Sequence, residues 1–221
     1  RRDAKERVRE LQAVNVVKLP NGLNFKQQTV ICKQMCALYN AKAIVIDING
    51  LGKGLLDYML DRNILDDGTE LEPYDMINTD YRSDYRDAKK LVYGIEAQKN
   101  NTEMITNFIN VVDGNILRIL EHFDVNKALD IPDEDFMISD VLPFLRTENF
   151  IAEVQNITVE TIPGTGKLKV GQVVKADKDI YSAMIQVCWY VMAFCNDALP
   201  DEDEDFASFF SGFISQPKIK R

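Results

Sequence analysis

The sequence predicts an α/β fold with a mixed β-sheet. Three observations support this prediction: β-branched runs alternate with amphipathic helical segments, a compact apolar run occurs at 43–47, and a β-hairpin pattern follows at 157–174. Alternating strands and helices are typical of sheets with parallel strands, and a tight hairpin adds an antiparallel pair. We therefore expect one domain over residues 1–199, followed by an acidic tail over 200–221.

The first part of the chain predicts two strands and two helices. Residues 7–19 indicate a strand, and 24–41 carry apolar residues at helical spacing with Asn24 as the N-cap. The run AIVID at 43–47 lacks polar alternation, which indicates a buried strand in a parallel or central position. A helix is expected over 55–62, after a glycine-rich turn.

The rest of the chain alternates in the same way. Turn residues and hydrophobic spacing define the predicted boundaries. In chain order we expect a loop at 63–88, a strand at 90–98, a helix at 100–114 that starts at Asn101 or Thr102, a short strand at 115–120, a helix from 140 that leads into a strand near Ile157, a turn at 163–167, a strand at 168–176 and a helix at 180–199.

Composition limits the possible functions. The net charge of −9 disfavours nucleic-acid binding through bulk electrostatics but suits carboxylates that hold divalent cations. The single histidine, His122, disfavours a histidine-based zinc site or a Ser-His-Asp triad. The chain has no apolar run of 18 residues, so no membrane span is expected. The four cysteines lie at helical spacing, which predicts thiols on helix faces in a reducing cytosol and not disulfides.

The glycine-rich stretch NGLGKG does not fit a nucleotide-binding loop. A P-loop requires a hydroxyl residue after its lysine, whereas Lys53 precedes Gly54. The spacing of Gly50, Gly52 and Gly54 is one residue short of a dinucleotide fingerprint. The stretch GTGK near the hairpin fails the same test for a P-loop. We therefore expect the glycines to turn the chain sharply and to let the backbone approach a neighbouring site.

That neighbouring site is predicted at Asp47. It ends a buried strand, at the sheet edge where α/β proteins bind their ligands. A second pair of acids, Asp177 and Asp179, stands at the start of the last helix. If these acids converge, they hold two divalent ions about 4 Å apart, an arrangement suited to phosphodiester cleavage. The alternative stays open that Asp47 only caps a turn and that Asp177 and Asp179 only cap a helix.

Four stretches carry a resemblance to a known family. They are NGLNFKQQTVICKQM with AIVIDINGLGKGLLDYML, GIEAQKNNTEMITNFINVVDGNILRIL, LRTENFIAEVQNITVE, and GKLKVGQVVKADKDIYSAMIQVCWYVMAF. In this order they resemble the C-terminal nuclease domain of phage-type large terminase subunits, the motors that package and cut viral DNA. The D-x-N-G-x-G and K-D-x-Y-S-A motifs are its most specific parts, and the match covers most of residues 15–195.

The resemblance implies a ribonuclease H-like fold, in which a mixed sheet is flanked by helices on both faces. It implies two Mg²⁺ or Mn²⁺ ions at Asp47 and Asp179, with Asp177 as a neighbouring ligand or substitute. The activity implied is cleavage of double-stranded DNA in the host cytoplasm. The implied partners are the terminase ATPase domain, the small terminase subunit and the portal protein, and no membrane is involved.

Several lysines are candidates for DNA contact. They lie in the glycine turn, in the hairpin and beside the acids of the last helix: Lys53, Lys167, Lys169, Lys175 and Lys178. The hairpin at 157–174 resembles a family hairpin that lies beside the active site, which suggests that it steers DNA or controls access.

Two departures from the family pattern leave a second function open. No strand with the family's first carboxylate is recognisable in RRDAKERVRELQ, so that strand either lies upstream of Arg1 or has been lost, and the histidine that some relatives place before the last aspartate is absent from VVKADKD. The alternative is therefore a non-catalytic module of the same fold that serves as a docking platform in the packaging motor.

Overall fold

A computed structural model describes residues 10–50, 52–121 and 138–195. Within these ranges the chain alternates between strands and helices. The strands are β1 Leu11–Gln12, β2 Ile44–Asp47, β3 Asn63–Ile64, β4 Glu70–Leu71, β5 Tyr74–Met76, β6 Lys89–Ile95, β7 Leu117–Arg118, β8 Ile157–Thr161 and β9 Leu168–Gln172. The helices are α1 Phe25–Leu38, α2 Gly52–Leu60, α3 Asn101–Asp113, α4 Ile138–Gln155 and α5 Asp179–Cys195. The predicted α/β class is confirmed.

The central sheet is parallel and has the strand order β2-β6-β5. Ile44 pairs with Val92 and Asp47 pairs with Ile95, which places the ends of β2 and β6 at one sheet edge. Antiparallel pairing is confined to the separate β3–β4 and β8–β9 hairpins, and β1 pairs with β7 in parallel. The described strands thus form several small sheets where the sequence predicted one mixed sheet, but AIVID is a parallel strand as predicted.

Helices cover both faces of the central sheet. Alternate residues of a strand point to opposite faces. Ile44 and Ile46 of β2 pack in one apolar cluster with α1 and α2. Val45 packs in a second cluster, which contains residues of α3, α4 and α5. The described chain is therefore a three-layer arrangement, and Asp47 shares the strand face of Val45.

Aromatic packing attaches α5 to the sheet. The ring centroid of Tyr93 on β6 lies 5.0 Å from those of Tyr190 and Phe194, and 5.9 Å from that of Trp189. Edge-to-face and tilted contacts of this kind contribute beyond the area that they bury. They fix the second half of α5 against the face of the sheet on which Asp47 lies.

The first helix begins where its sequence predicts. Asn24 and Gln27 form a capping box, in which each side chain binds the other residue's backbone N–H at 2.9 and 3.0 Å. The late hairpin is also confirmed, with Gly164 and Gly166 at positive φ in its turn.

Other boundaries were predicted wrongly. The expected strand at 7–19 is reduced to two described residues because its partner β7 is equally short. The expected loop at 63–88 contains β3, β4 and β5, whose runs are too short to show a sequence period. Residues 1–9 and the predicted tail at 200–221 lie outside the described residues.

Two further predictions concern helices and thiols. None of the described helices is long and apolar enough to cross a membrane. Cys32, Cys36 and Cys188 are free thiols on helices, as the helical spacing predicted. Burial raises the pKa of the Cys188 thiol to about 12. A thiol in such an environment stays protonated and behaves as a small apolar side chain.

Candidate functional site

Asp47 lies at the carboxyl end of β2, at the sheet edge that the sequence predicted. Its Oδ1 atom accepts hydrogen bonds from the backbone N–H of Asn49 at 3.1 Å and of Ala97 at 3.4 Å. The Ala97 bond links Asp47 to the chain that leaves the neighbouring strand β6. The side chain is half-buried. These two bonds orient the carboxylate, as expected if Asp47 caps a turn. Both bonds are made by Oδ1.

The glycines after Asp47 allow a close backbone contact. A Cβ atom at Gly52 would lie 1.6 Å from the Asp47 carbonyl oxygen, so no larger residue fits there. Gly50 has a φ of +58°, in the left-handed region that glycine tolerates best. This geometry confirms the predicted role of the glycines, a sharp turn pressed against the Asp47 backbone.

The helix boundary in this region differs from the prediction. The helix was expected from residue 55, but α2 starts at Gly52 and includes Gly54. A Cβ atom at Gly54 would lie 2.6 Å from the ring of Phe25 on α1. Gly52 and Gly54 are therefore part of the first turn of α2. Gly52 permits contact with the end of strand β2, and Gly54 permits contact with helix α1.

Asp177 and Asp179 lie at the start of α5. Asp179 is the first residue of the helix, and Asp177 precedes it in an exposed loop. The Nζ atom of Lys18 lies 3.0 Å from Asp177 Oδ2, in an ion pair between residues 159 positions apart. The hydrogen bond to Asp177 raises the pKa of Lys18, and the charges of Asp179 and Glu153 add to this effect. A cationic side chain therefore already lies among these acids.

The end of α4 organises the same region. Glu153 Oε2 accepts a hydrogen bond of 2.7 Å from the backbone N–H of Tyr181, in the first turn of α5. The side chain of Asn156, one residue past α4, binds both the N–H and the carbonyl of Val174 at 2.8 and 2.7 Å. These bonds fix the loop that carries Asp177 and the helix start at Asp179.

The predicted carboxylates lie on separate elements, with Asp47 at the end of β2 and Asp177 and Asp179 at the start of α5. Among the described residues, no group of three or more His, Cys, Asp or Glu side chains is placed to hold a metal ion. Carboxylate oxygens are the donors that Mg²⁺ and Mn²⁺ favour, so the donor chemistry fits. In the structure Asp47 binds backbone N–H groups at the sheet edge and Asp177 pairs with Lys18, so each of these two acids has partners of its own. The metal site stays a prediction.

All the predicted DNA-contacting lysines are exposed. Lys53 lies in the first turn of α2, Lys167 at the hairpin turn, and Lys175 and Lys178 in the loop before α5. Lys169 lies opposite Glu160 in the register of the hairpin. Their exposure is compatible with contact to a phosphate backbone.

A separate cavity lies away from these residues. It has a volume of about 330 Å³ and is lined by α2 and the loop before β6. Two tyrosine hydroxyls there donate to aspartates, Tyr81 to Asp57 of α2 at 2.7 Å and Tyr85 to Asp61, the residue after α2, at 2.9 Å. None of the predicted site residues lines this cavity, so it is not the site that the sequence indicated.

Sequence reasoning missed Lys18, Glu153 and Asn156. Glu153 had a detectable signal, because an acid in the last turn of a helix is disfavoured by the helix dipole unless it has a partner elsewhere. Lys18 had none, since its partner lies 159 positions away.

Comparison with known proteins gives no match to a family model, to a curated protein or to a solved structure.

Proposed function

We propose that the chain is a ribonuclease H-like nuclease domain of a viral DNA-packaging terminase and that it cleaves double-stranded DNA. The observation that carries the proposal is the position of Asp47. It ends a parallel strand at the ligand-binding edge of the sheet, beside a backbone turn that only glycine permits. It also shares a strand face with Val45, which packs in the cluster that contains α5. The resemblance of the motifs around Asp47 and Asp179 supports the same assignment.

In this proposal the carboxylates of Asp47 and Asp179 are the ligands of Mg²⁺ or Mn²⁺, and Asp177 is a neighbouring ligand. Such ions, when bound, stabilise the charge that develops on the phosphate. The chain's own residues orient these ligands. Asn49 and Ala97 hold Asp47 through backbone N–H groups, and Glu153 fixes the helix that begins at Asp179.

The proposed setting is the packaging motor in the host cytoplasm. The ATPase domain, the small terminase subunit and the portal are the proposed partners, and the lysines of the hairpin and of the glycine turn are the proposed DNA contacts. The second candidate is a docking module of the same fold without catalysis. It is favoured by one observation, the pairing of Asp177 with Lys18 where a ligand was expected.

Plasmid cleavage distinguishes the two candidates. The purified chain is incubated with supercoiled DNA and Mn²⁺, and nicked and linear products are quantified. We expect cleavage that depends on the metal and falls at least about a hundredfold in Asp47→Asn and in Asp179→Asn, since even indirect partners of metal ligands contribute 10- to 100-fold. Asp113→Asn is the matched control, because Asp113 is an exposed acid at the end of α3.

The outcomes are separable. Equal cleavage by the wild type and by Asp47→Asn would show that the carboxylate assignment is wrong. No cleavage by the wild-type chain, together with binding of the portal or of another terminase subunit, would favour the docking module.

A further inference from the structure

Helix α5 has an apolar surface that the described part of the chain leaves exposed. Over 180–195, every residue except Ser182 and Gln186 is apolar or aromatic. A helix that is apolar on all sides is normally buried on all sides. One side of α5 packs in the core cluster that also contains residues of α3 and α4, yet Val187 is 47% exposed and Phe194 is 52% exposed. The outer side of α5 therefore needs a further apolar surface to cover it.

The exposed residues of α5 share one face. Ala183, Val187 and Phe194 are spaced by four and seven residues, which places them along one line of the helix, here called the α5 stripe. The ring centroid of Phe194 lies 5.0 Å from that of Tyr93 and 5.2 Å from that of Tyr190, while half of Phe194 stays exposed. The stripe thus ends in a group of packed aromatic rings, directly before the last described residue.

A complementary apolar pattern follows α5 in the sequence, outside the described residues. In the run FASFFSGFI at 206–214, large apolar residues recur at positions i, i+3, i+4, i+7 and i+8, namely Phe206, Phe209, Phe210, Phe213 and Ile214. This spacing predicts a helix with one apolar face. The acids at 201–205 directly precede the run, where the helix dipole favours negative charge. A helix this short is not stable alone in water, so its apolar face needs a surface to pack against.

We propose that the segment 206–214 packs its apolar face onto the α5 stripe of the same chain. The ten residues at 196–205 that connect the two can span at most about 35 Å. The stripe from Val187 to Phe194 is only about 10 Å long, at 1.5 Å per helical residue. A short connection gives the segment a high effective concentration at the stripe. The packing does not depend on the nuclease activity that we propose.

Photo-crosslinking in the full chain tests this packing. p-Benzoylphenylalanine replaces Phe210 on the predicted apolar face or, as the matched control, Ser208 on the opposite face. After irradiation, monomers are separated from crosslinked dimers, and the attachment sites are mapped by peptide mass spectrometry. We expect the probe at 210 to attach within 183–194 of its own chain. We expect its yield to exceed that of the probe at 208 at least about fivefold, because burial of apolar surface favours only one face of the segment.

A charge on the stripe gives a second measurement. Val187→Lys, in the chain that carries the probe at 210, places an ammonium group on the face that we propose to be covered. We expect the crosslink yield to fall at least about fivefold, because burying an unpaired charge is unfavourable. Val112→Lys is the matched control, since Val112 is similarly exposed, at 46%, but lies on α3. Thermal unfolding of both variants verifies that each chain folds.

Equal crosslink yields from positions 208 and 210 overturn the inference, and so do equal yields in Val187→Lys and Val112→Lys. Attachment at 210 that maps outside the stripe, or no attachment at all, overturns it as well. Attachment between two chains shows that a second copy covers α5, which also rejects packing within one chain. DNA cleavage enters none of these measurements, so the proposed nuclease function stands or fails separately.

Discussion

Among single residues, Gly52 has the tightest steric limit of the described glycines. The Asp47 carbonyl oxygen lies where its Cβ atom would be, at 1.6 Å. The strand end and the helix start are therefore in direct backbone contact, and the peptide of Asp47 cannot move away from α2 without loss of that contact. Gly52 therefore limits the position of Asp47. The sequence did not distinguish it from the neighbouring Gly50 and Gly54.

We predict that Gly52→Ala destabilises the chain by about 3 kcal/mol, because the added methyl group meets backbone that must shift. Gly54→Ala is the matched control. It lies in the same helix turn and gains the same helix propensity, but its methyl group meets the ring of Phe25, which can rotate. Urea unfolding measures both variants. Equal loss of stability in the two variants would contradict the role assigned to the Asp47 carbonyl.

Lys33 shows a second constraint on the same pair of helices. It is 1% exposed, its Nζ atom donates a 2.6 Å hydrogen bond to the carbonyl of Asp61 at the end of α2, and it lies over the Tyr74 ring at 5.2 Å. Burial lowers the pKa of Lys33 from 10.5 to about 8, although the neighbouring charge of Asp61 opposes this shift.

We predict that Lys33 makes the free energy of unfolding rise with pH between about 8 and 10.5. In that interval the unfolded chain keeps a proton on Lys33 that the folded chain has lost, so raising the pH favours the folded state. Denaturant unfolding across this interval is compared between the wild type and Lys33→Met in a Cys36→Ala background, since the titration of Cys36 is coupled to the charge of Lys33 and would not cancel otherwise. Parallel pH profiles for the two proteins would contradict the prediction.

Sequence prediction at this scale depended on locality. Asn24 was identified because its partner Gln27 lies three residues away and a capping box has a recognisable spacing. Asp47 was identified because the strand end and the glycines adjoin it. Lys33 and Lys18 were not, since their partners Asp61 and Asp177 are brought to them by tertiary packing.

At the scale of elements, the start of α3 shows how packing changes the role of a residue. Either Asn101 or Thr102 was predicted as the start of this helix, but the N-cap is Asn100, which makes no side-chain capping bond. Thr102 Oγ1 accepts a hydrogen bond of 3.0 Å from the Leu168 N–H, and Asn101 donates to the Leu168 carbonyl at 3.3 Å. The helix start therefore holds the hairpin strand β9, a use that the local pattern of polar residues did not reveal.

We predict that Thr102→Val destabilises the chain by about 1–2 kcal/mol and speeds hydrogen exchange at Leu168, because this buried N–H loses its acceptor. Thr106→Val is the matched control. The Thr106 hydroxyl donates to the Thr102 carbonyl within its own helix, and the helix propensity changes equally. Unfolding in urea and exchange measured by NMR test both variants. If Leu168 exchanges at the same rate in both, α3 does not hold the hairpin.

At the scale of the whole molecule, the sequence determined the layers of strands and helices better than it determined the relative positions of the predicted site residues. Alternation of strands and helices predicted the class, and the packing of Ile44 and Val45 into clusters on opposite faces follows from strand geometry. The pattern of strands and helices does not determine whether Asp47 lies close to Asp177 and Asp179. Their distance depends on how α5 lies across the sheet, which aromatic contacts such as Tyr93–Tyr190 determine.

Because the net charge is −9, the DNA binding that we propose depends on local clusters of positive charge and not on the charge of the whole chain. Each phosphate contact by a lysine releases counterions and adds about 0.9 to the slope of log affinity against log salt. If the exposed lysines at the hairpin turn and along β9 contact phosphates as proposed, we expect each to add to this slope, and we expect lysines that pair with glutamates to add less.

We predict that Lys167→Gln/Lys169→Gln lowers this salt slope by about 2, since two phosphate contacts are lost. The measurement is fluorescence anisotropy of labelled double-stranded DNA in EDTA, which separates binding from cleavage, at several KCl concentrations. The control is Lys89→Gln/Lys99→Gln, which removes the same charge from residues that pair with Glu72 and Glu96. If the two double variants reduce the slope equally, net charge alone governs DNA binding and the hairpin has no special position in it.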